Sequence, residues 1–436
     1  MDPLVVGFIG IGVFLVLLTA GVHITVALGA VGLAGLIYFV GFGPALSILI
    51  NACFYKVYNI MFLVLILFIT VGVLAAAGGI SSDTYRALSL WLNKIRGGLA
   101  IATVASCTAF GTVCGSSLVT AAVFAKASVP EMRQYGYDKR LSYGLVAAAG
   151  NIGMLIPPSV LIIFYAILTE ESPGKLLIAG LTPGLMLFVV FSLGILVIGR
   201  FKPDLLGSSH TIKTTWRERF VSLRLLWPII LVATILVVGV ATGILAVGEA
   251  GAAGVLVIFF VVLFTRRSWK VISTGLADSA AIAAMIFFIF ISAGVFSRFL
   301  AFSGVAPALI DWLLSLELSH LGVVIAMSIV YLIMGCFLDA ISMLAITSPI
   351  IYPAVQMMGI DPIWYAMSII LAIHIGLITP PVGLNVYGVK GVAEADVSLE
   401  DIFIGALPFF VLSLIALAFI IAFPQLSTFF PSFMTL

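Results

Sequence analysis

The chain has 436 residues, 63% of them hydrophobic and 9% charged, where a soluble domain carries about 25% charged residues. So few charges cannot cover a water-soluble body of this size, which leaves lipid as the solvent for most of it. The formal net charge of +2 argues against nucleic acid as a partner. Cys53, Cys107, Cys114 and Cys336 sit in or beside apolar runs and read as packing residues, not as a disulfide framework or metal site.

A spanning helix needs about 20 apolar residues. The first such run, residues 4–20, has no basic flank and no clear cleavage site, so it reads as a retained helix and not a signal peptide. Runs at 23–40 and 58–77 follow, and the stretches 42–58 and 81–93 suit interfacial helices. Residues 98–127 are too long for one span and are interrupted at Gly111-Thr-Val-Cys-Gly-Ser-Ser117. They read as a re-entrant hairpin with that motif as its tip. The run 141–169 is broken at Asn151-Ile-Gly-Met-Leu-Ile-Pro-Pro-Ser159, and 176–198 completes the first half. The one substantial polar stretch, 200–224, divides the chain, and Trp216 and Trp227 suit it to hold the halves together at the membrane surface. Beyond it lie spans at 225–241, 250–265, 279–299, 363–389 and 402–423, with interfacial helices expected at 265–278 and 303–316. A second hairpin, 321–352, has the tip Gly335-Cys-Phe-Leu-Asp-Ala-Ile-Ser342, and the 363–389 span is broken at His374-Ile-Gly-Leu-Ile-Thr-Pro-Pro-Val-Gly383. Lipid requires internally satisfied backbone, and continuous apolar runs exclude the alternation of barrel strands, so the expected fold is all-α and polytopic.

The halves resemble each other. When Pro130 is set against Pro353, Gly136 meets Gly359 and Asp138 meets Asp361. In the same register Ile152-Gly153 meets Ile375-Gly376, and Pro157-Pro158 meets Pro380-Pro381. One residue out of register, Phe68–Leu74 matches Phe290–Phe296. Residues 1–200 and 225–436 are therefore expected to be repeats, joined by the linker 201–224. Cytoplasmic loops are enriched in Lys and Arg. Lys94, Arg96, Lys126, Arg133, Lys139 and Arg140 flank the first hairpin, whereas 313–322 and 352–362, flanking the second, contain none. The first hairpin is thus expected to enter from the cytoplasm and the second from outside, which makes the repeats inverted. Five crossings per half give the same result. This topology puts both termini in the periplasm and the linker in the cytoplasm, with all 20 Lys and Arg on the cytoplasmic side except Lys56, Lys175 and Arg298. The loop 388–401, with one Lys and four acids, fits poorly.

Inverted repeats with broken helices place a transporter's site near the bilayer midplane, where the repeats meet. Paired prolines unwind a helix. Unwinding frees carbonyl oxygens for Na⁺ and exposes helix N-termini, which favour anions. Ser116, Ser117, Ser342, Thr379, Asn151 and Asn385 add neutral ligands suited to a hard cation. Asp339 is the only carboxylate in the second hairpin, and an ionisable residue at membrane depth is a functional candidate. It can instead pair structurally with a backbone donor. The serines and glycines also suit simple close packing. His374 aligns with Asn151 and reads either as a ligand or proton-sensitive group, or as a satisfied interhelical bond. Arg298 is expected to snorkel, and His23 to be structural.

These motifs together resemble the large membrane subunit of tripartite ATP-independent periplasmic (TRAP) transporters, over essentially the full length. The most specific stretches are Gly111–Ser117, Gly150–Ser159, Ile378-Thr-Pro-Pro-Val-Gly-Leu-Asn385 and Asp339 in its hairpin. The resemblance implies a Na⁺-coupled symporter of the ion-transporter superfamily working by an elevator motion in a bacterial inner membrane. It implies two partners, a separate small four-helix membrane subunit and a soluble periplasmic substrate-binding protein. The implied cargo is a small organic acid: a C4-dicarboxylate, a sialic acid, another carboxylate or a sulfonate. Carried onto this sequence, the motifs give Gly111, Gly115, Ser116, Asn151, Pro157, Gly335, Asp339, Thr379 and Pro380 as Na⁺ ligands. Ser117, Asn151, Ser159, Ser342, Thr379 and Asn385 are the corresponding substrate residues. No organic cofactor is expected. The rivals are a stand-alone anion symporter or exchanger of similar architecture, whose Ser-Asn-Thr tips are absent here, and a channel. An intramembrane enzyme lacks support: the sequence has no HExxH, no GxSG-type nucleophile and no paired intramembrane aspartates.

Overall fold

A computed structural model describes residues 2–55, 60–207, 214–266 and 269–434. Among them the chain is helical throughout, with one isolated bridge pairing Tyr137 and Leu206 and no strand. Six helices are long and apolar enough to cross a membrane: Ile60–Ala77, Pro173–Phe201, Val247–Thr265, Trp269–Phe302, Ala340–Met357 and Leu399–Ala422. The pair Trp216–Leu225 and Trp227–Ala241, bent by 48° at its break, passes the same test only when taken together, and its second limb carries a π-helical turn at Thr234–Val238. The chain is a multi-pass membrane protein.

Both expected hairpins are helix–tip–helix units. Gly98–Cys114 and Ser117–Gln134 flank the first tip; His320–Gly335 and Ala340–Met357 flank the second. At 1.5 Å per residue the arms are about 24–27 Å long, close to the ~30 Å bilayer core. Both helix breaks are present. Lys139–Gly150 runs into a 3₁₀ turn, Asn151–Met154, and restarts as Val160–Thr169. Pro362–Gly376 ends before the second Pro-Pro pair, and the chain restarts as Leu384–Lys390. The limbs before the breaks form the centre of the molecule: Leu141–Gly150 and Trp364–Gly376 are buried without exception. Outer helices present Phe8, Phe201 and Phe264 outward, as lipid permits.

Features recur between the halves in the register read from the sequence. Asp138 caps Lys139–Gly150 by accepting the Leu141 N–H at 3.0 Å, and Asp361 caps Pro362–Gly376 by accepting that of Trp364 at 2.8 Å. Gly136 and Gly359, which precede these caps, both have left-handed backbone.

One expectation fails. Residues 265–278 do not form a separate interfacial helix, because Trp269–Phe302 is one continuous helix of 34 residues. Gly275 and Ser273 are tolerated singly within a helix, and no proline interrupts it. The matching stretch in the first half is a helix of its own, Phe42–Tyr55. Lys56 lies outside the described residues, as does part of the linker. The acidic loop that fitted the charge rule poorly finds its explanation in packing. Arg133 pairs with Glu394 and Asp396, Lys139 with Asp396 and Asp401, and Arg140 with Asp401 at 2.7 Å.

Within the linker Trp216–Ser222 is a helix, capped reciprocally by Thr215 and Glu218. It docks on Ile80–Leu92. Arg219 is buried, donates to Asn93 Oδ1 at 3.2 Å and lies 5.3 Å from the Trp216 ring centre, while Trp91 donates to the Arg219 carbonyl. Arg219→Ala is expected to weaken this docking by about 1.5–3 kcal/mol, the worth of a hydrogen bond to a charged group. Faster hydrogen exchange across 216–222, with the hairpins unchanged, is the expected readout.

Candidate functional site

The two hairpin tips meet at one cavity of about 280 Å³. Gly115, Ser116 and Ser117 of the first tip line it, as do Asp339 and Ala340 of the second, with Asn385 between them. Among the described residues Asp339 is the one charged side chain in its wall; the rest is mostly apolar. Four helices begin there: Ser117–Gln134, Val160–Thr169, Ala340–Met357 and the short Leu384–Lys390 all contribute their first residues. The first N–H groups of a helix have no partner within it and carry partial positive charge. The helix starts therefore turn partial positive charge toward the cavity, opposed at the second tip by the Asp339 carboxylate.

The tips differ in how they meet that charge. At the second, Asp339 caps its helix, and one carboxylate oxygen accepts the Ser342 N–H at 3.0 Å while the other takes the Ser342 hydroxyl. At the first, Ser116 makes no side-chain cap, so the N-terminus of Ser117–Gln134 faces the cavity without a capping side chain. One end is thus suited to a cation and the other to an anion.

Close backbone contacts hold each tip against a break. A Cβ on Gly111 would lie 2.5 Å from the Gly153 Cα, and one on Gly335 would lie 2.7 Å from the Gly376 Cα. These four glycines form equivalent pairs in the two halves. Gly115 has φ +60°, and its missing Cβ would meet the Pro158 carbonyl oxygen at 2.5 Å. The Cys336 carbonyl accepts the N–H groups of Val382 and Gly383 at 3.1 and 3.4 Å.

Behind the cavity runs a hydrogen-bond chain across both halves. The Ser117 hydroxyl donates to Asn385 Oδ1 at 3.1 Å, the Asn385 amide donates to Asn151 Oδ1, and the Asn151 amide donates to the His374 carbonyl at 2.8 Å. Asn151, Asn385 and His374 are fully buried.

The other sequence candidates are distributed as follows. Ser159 is fully buried outside the cavity lining, caps Val160–Thr169 and donates to the Met154 carbonyl. Thr379 donates to the Ile375 carbonyl at 2.7 Å, and Pro380 is exposed while Pro157 is buried. Neither Thr379, Pro380, Pro157 nor Ser342 lines the cavity. Arg298 is exposed and away from it, and His23 caps Ile24–Val40. The sequence reading missed the part of the lining that comes from outside the hairpins and breaks: Ile69 and Val73 from Ile60–Ala77, and Ile282, Met285 and Ile286 from Trp269–Phe302. Their helical spacing is the same as that of a lipid-facing or packing stripe, so no sequence signal marks them.

The family of tripartite ATP-independent periplasmic transporter DctM components matches residues 11–426 of this chain. The C4-dicarboxylate TRAP transporter large permease protein DctM of Pseudomonas aeruginosa is 32% identical over 84% of this chain and 85% of its own length. The ectoine TRAP transporter large permease protein TeaC of Halomonas elongata is also 32% identical, over 78% of each chain. Among solved structures, the Alcanivorax borkumensis YdaH transporter superposes with a TM-score of 0.60 at 16% identity, covering 97% of this chain and 98% of that one, a likeness of fold.

Proposed function

This chain belongs to the DctM component family of TRAP transporters, a family of transport components and not enzymes, and from that premise we propose that it imports a small organic anion with Na⁺ through the cavity between its hairpin tips. The carrying observation is the convergence of four helix starts and one carboxylate on that cavity. Asp339 with the carbonyls around Gly335, Thr379 and Pro380 takes one Na⁺; Gly111, Gly115, Ser116 and Pro157 contribute oxygens for a second. The substrate acid group sits at the uncapped helix start of Ser117 and beside Asn385. Ser159 and Ser342 act through the helix starts they brace, and Asn151 through Asn385. Bound Na⁺ offsets the repulsion between Asp339 and the anion, which is the physical basis of coupling: neither charge is comfortable there without the cation.

The halves 1–200 and 225–436 are read as inverted repeats. The start of the first broken helix pairs with residues after the second, Arg140 with Asp401, while Tyr352, ahead of the second, bonds Glu171, just after the first. Such end-to-end pairing supports two antiparallel broken helices. The acidic loop 388–401 shares a side with its basic partners; we read that side as the cytoplasmic side of an inner membrane, and both termini as periplasmic. The tips and breaks move as a core against Ile60–Ala77 and Trp269–Phe302, whose cavity-lining residues Ile69, Val73, Ile282, Met285 and Ile286 are apolar. A small four-helix membrane subunit and a periplasmic binding protein complete the system. Two relatives of equal identity carry names for different cargoes, a C4-dicarboxylate and ectoine, so the cargo here is given as a class.

The test is uptake of labelled succinate and ectoine into liposomes holding this chain and its small subunit, with the binding protein outside. Saturable uptake that needs both an inward Na⁺ gradient and the binding protein is expected for a probe of the right class. Uptake by the chain alone contradicts the tripartite reading, and equal uptake in K⁺ contradicts the coupling.

A further inference from the structure

Trp216–Leu225 precedes the limb that begins at Trp227 and carries an apolar stripe that no described residue covers. Trp216, Phe220 and Leu223 recur at helical spacing and are 64%, 61% and 39% exposed, and Trp227, just past the bend, is 49% exposed. Loose docking does not account for this. Arg219 and Ser222, which lie off the stripe, are buried. The Trp91 ring meets those of Trp216 and Phe220 edge-on, at 6.5 and 5.6 Å. The helix is thus held firmly on one side while its apolar side is turned outward.

The charge beside the stripe is basic. Arg217 and Arg224 lie about two turns apart along one flank of it, and both are exposed. Neither enters a salt bridge among the described residues. The one acid on this helix, Glu218, is turned back to accept the Thr215 N–H. Lys94 and Arg96, close after the Asn93 that bonds Arg219, are exposed as well. An apolar stripe bearing tryptophan and flanked by cations has the chemistry of a bilayer surface: rings sit at headgroup level and arginines meet lipid phosphates. Continuity favours lipid over a protein partner. A single residue, Leu226, separates this helix from the limb Trp227–Ala241, and the 48° bend there turns it off that limb's axis.

We propose that Trp216–Leu225 docks on anionic lipid headgroups, with Trp216, Phe220 and Leu223 in the headgroup–acyl boundary and Arg217 and Arg224 on the phosphates. The inference needs only that the limb from Trp227 enters the bilayer. It is independent of the coupling ion and the cargo.

The experiment reconstitutes the purified full-length permease in vesicles of phosphatidylcholine, alone or with about one-third phosphatidylglycerol, and follows hydrogen exchange across 216–225. Exchange there is expected to be at least about five-fold slower in the anionic vesicles, the factor for one basic residue near an anionic surface, with the hairpins unchanged. The double variant Arg217→Gln, Arg224→Gln is expected to lose the difference between the two vesicles. High salt is expected to remove it from wild type, which keeps the test decisive should the double variant insert poorly. Equal exchange of wild type in the two vesicles overturns the proposal. So does a difference that persists in the double variant or at high salt. Slowing that appears only when the small membrane subunit is added, whatever the lipid, also overturns it and assigns the stripe to that subunit.

Discussion

Asp339→Asn is expected to raise the Na⁺ concentration for half-maximal uptake by about 10- to 100-fold while the protein stays folded and inserted. A bond to a charged group is worth about 1.5–3 kcal/mol, and each 1.4 kcal/mol is a factor of about ten. The substitution isolates charge from structure. Asp339 caps Ala340–Met357 through the Ser342 N–H, and asparagine ranks with aspartate as a cap, so the helix start survives. Asp339→Ala removes both roles and is expected to cost a further ~1 kcal/mol of stability. Uptake against Na⁺ and thermal melting of the three proteins separate the effects. Wild-type Na⁺ dependence in Asp339→Asn contradicts the ligand role and leaves the carboxylate a cap alone.

The second large effect is expected at Gly115→Ala. Its backbone is left-handed, where a Cβ costs about 1–2 kcal/mol, and that Cβ would lie 2.5 Å from the Pro158 carbonyl oxygen. A backbone atom in a packed break cannot rotate away, so an overpacking cost of about 1–3 kcal/mol adds. Either the tip separates from the break or the break distorts, and in both cases transport is lost. Gly359→Ala is the matched control: φ is +68° there, and nothing lies within 4 Å of the added methyl. It carries the conformational penalty without the clash and is expected to transport normally at a modestly lower melting temperature. Equal behaviour of the two variants would mean that the close approach of tip and break is unimportant.

The features legible in the sequence are those that proline, glycine and aspartate write locally. Two Pro-Pro pairs marked the breaks, and Gly111–Ser117 and Gly335–Ser342 marked the tips; Asp138 and Asp361 were legible as matched positions of the repeat, and the structure makes them helix caps. Each acts within a turn or two of its own position, so no tertiary knowledge is needed to read it. The continuity of Trp269–Phe302 was not legible, because Lys270 and Asp278 lower hydropathy without ending a helix. Nor was the cavity wall of Ile282, Met285 and Ile286, since an apolar residue reads alike whether it faces lipid, core or substrate. The neutral oxygen ligands were singled out one by one, but their order was hidden. That Asn385 would stand between Ser117 and Asn151 depends on how two distant breaks pack, and so does the pairing of the 388–401 acids with Arg133, Lys139 and Arg140.

The central claim is that Na⁺ and the organic acid meet in the cavity between the tips. Leu118 lines that cavity and is 48% exposed, which makes Leu118→Cys a reporter. Its alkylation rate, resolved by peptide mass spectrometry, is compared with that of the exposed native Cys53, which lies outside the cavity lining. Na⁺ together with the acid taken up in the reconstituted system is predicted to slow alkylation at 118 at least about five-fold, with Cys53 unaffected and K⁺ without effect. An unchanged rate at 118, under conditions that saturate uptake, would contradict the account.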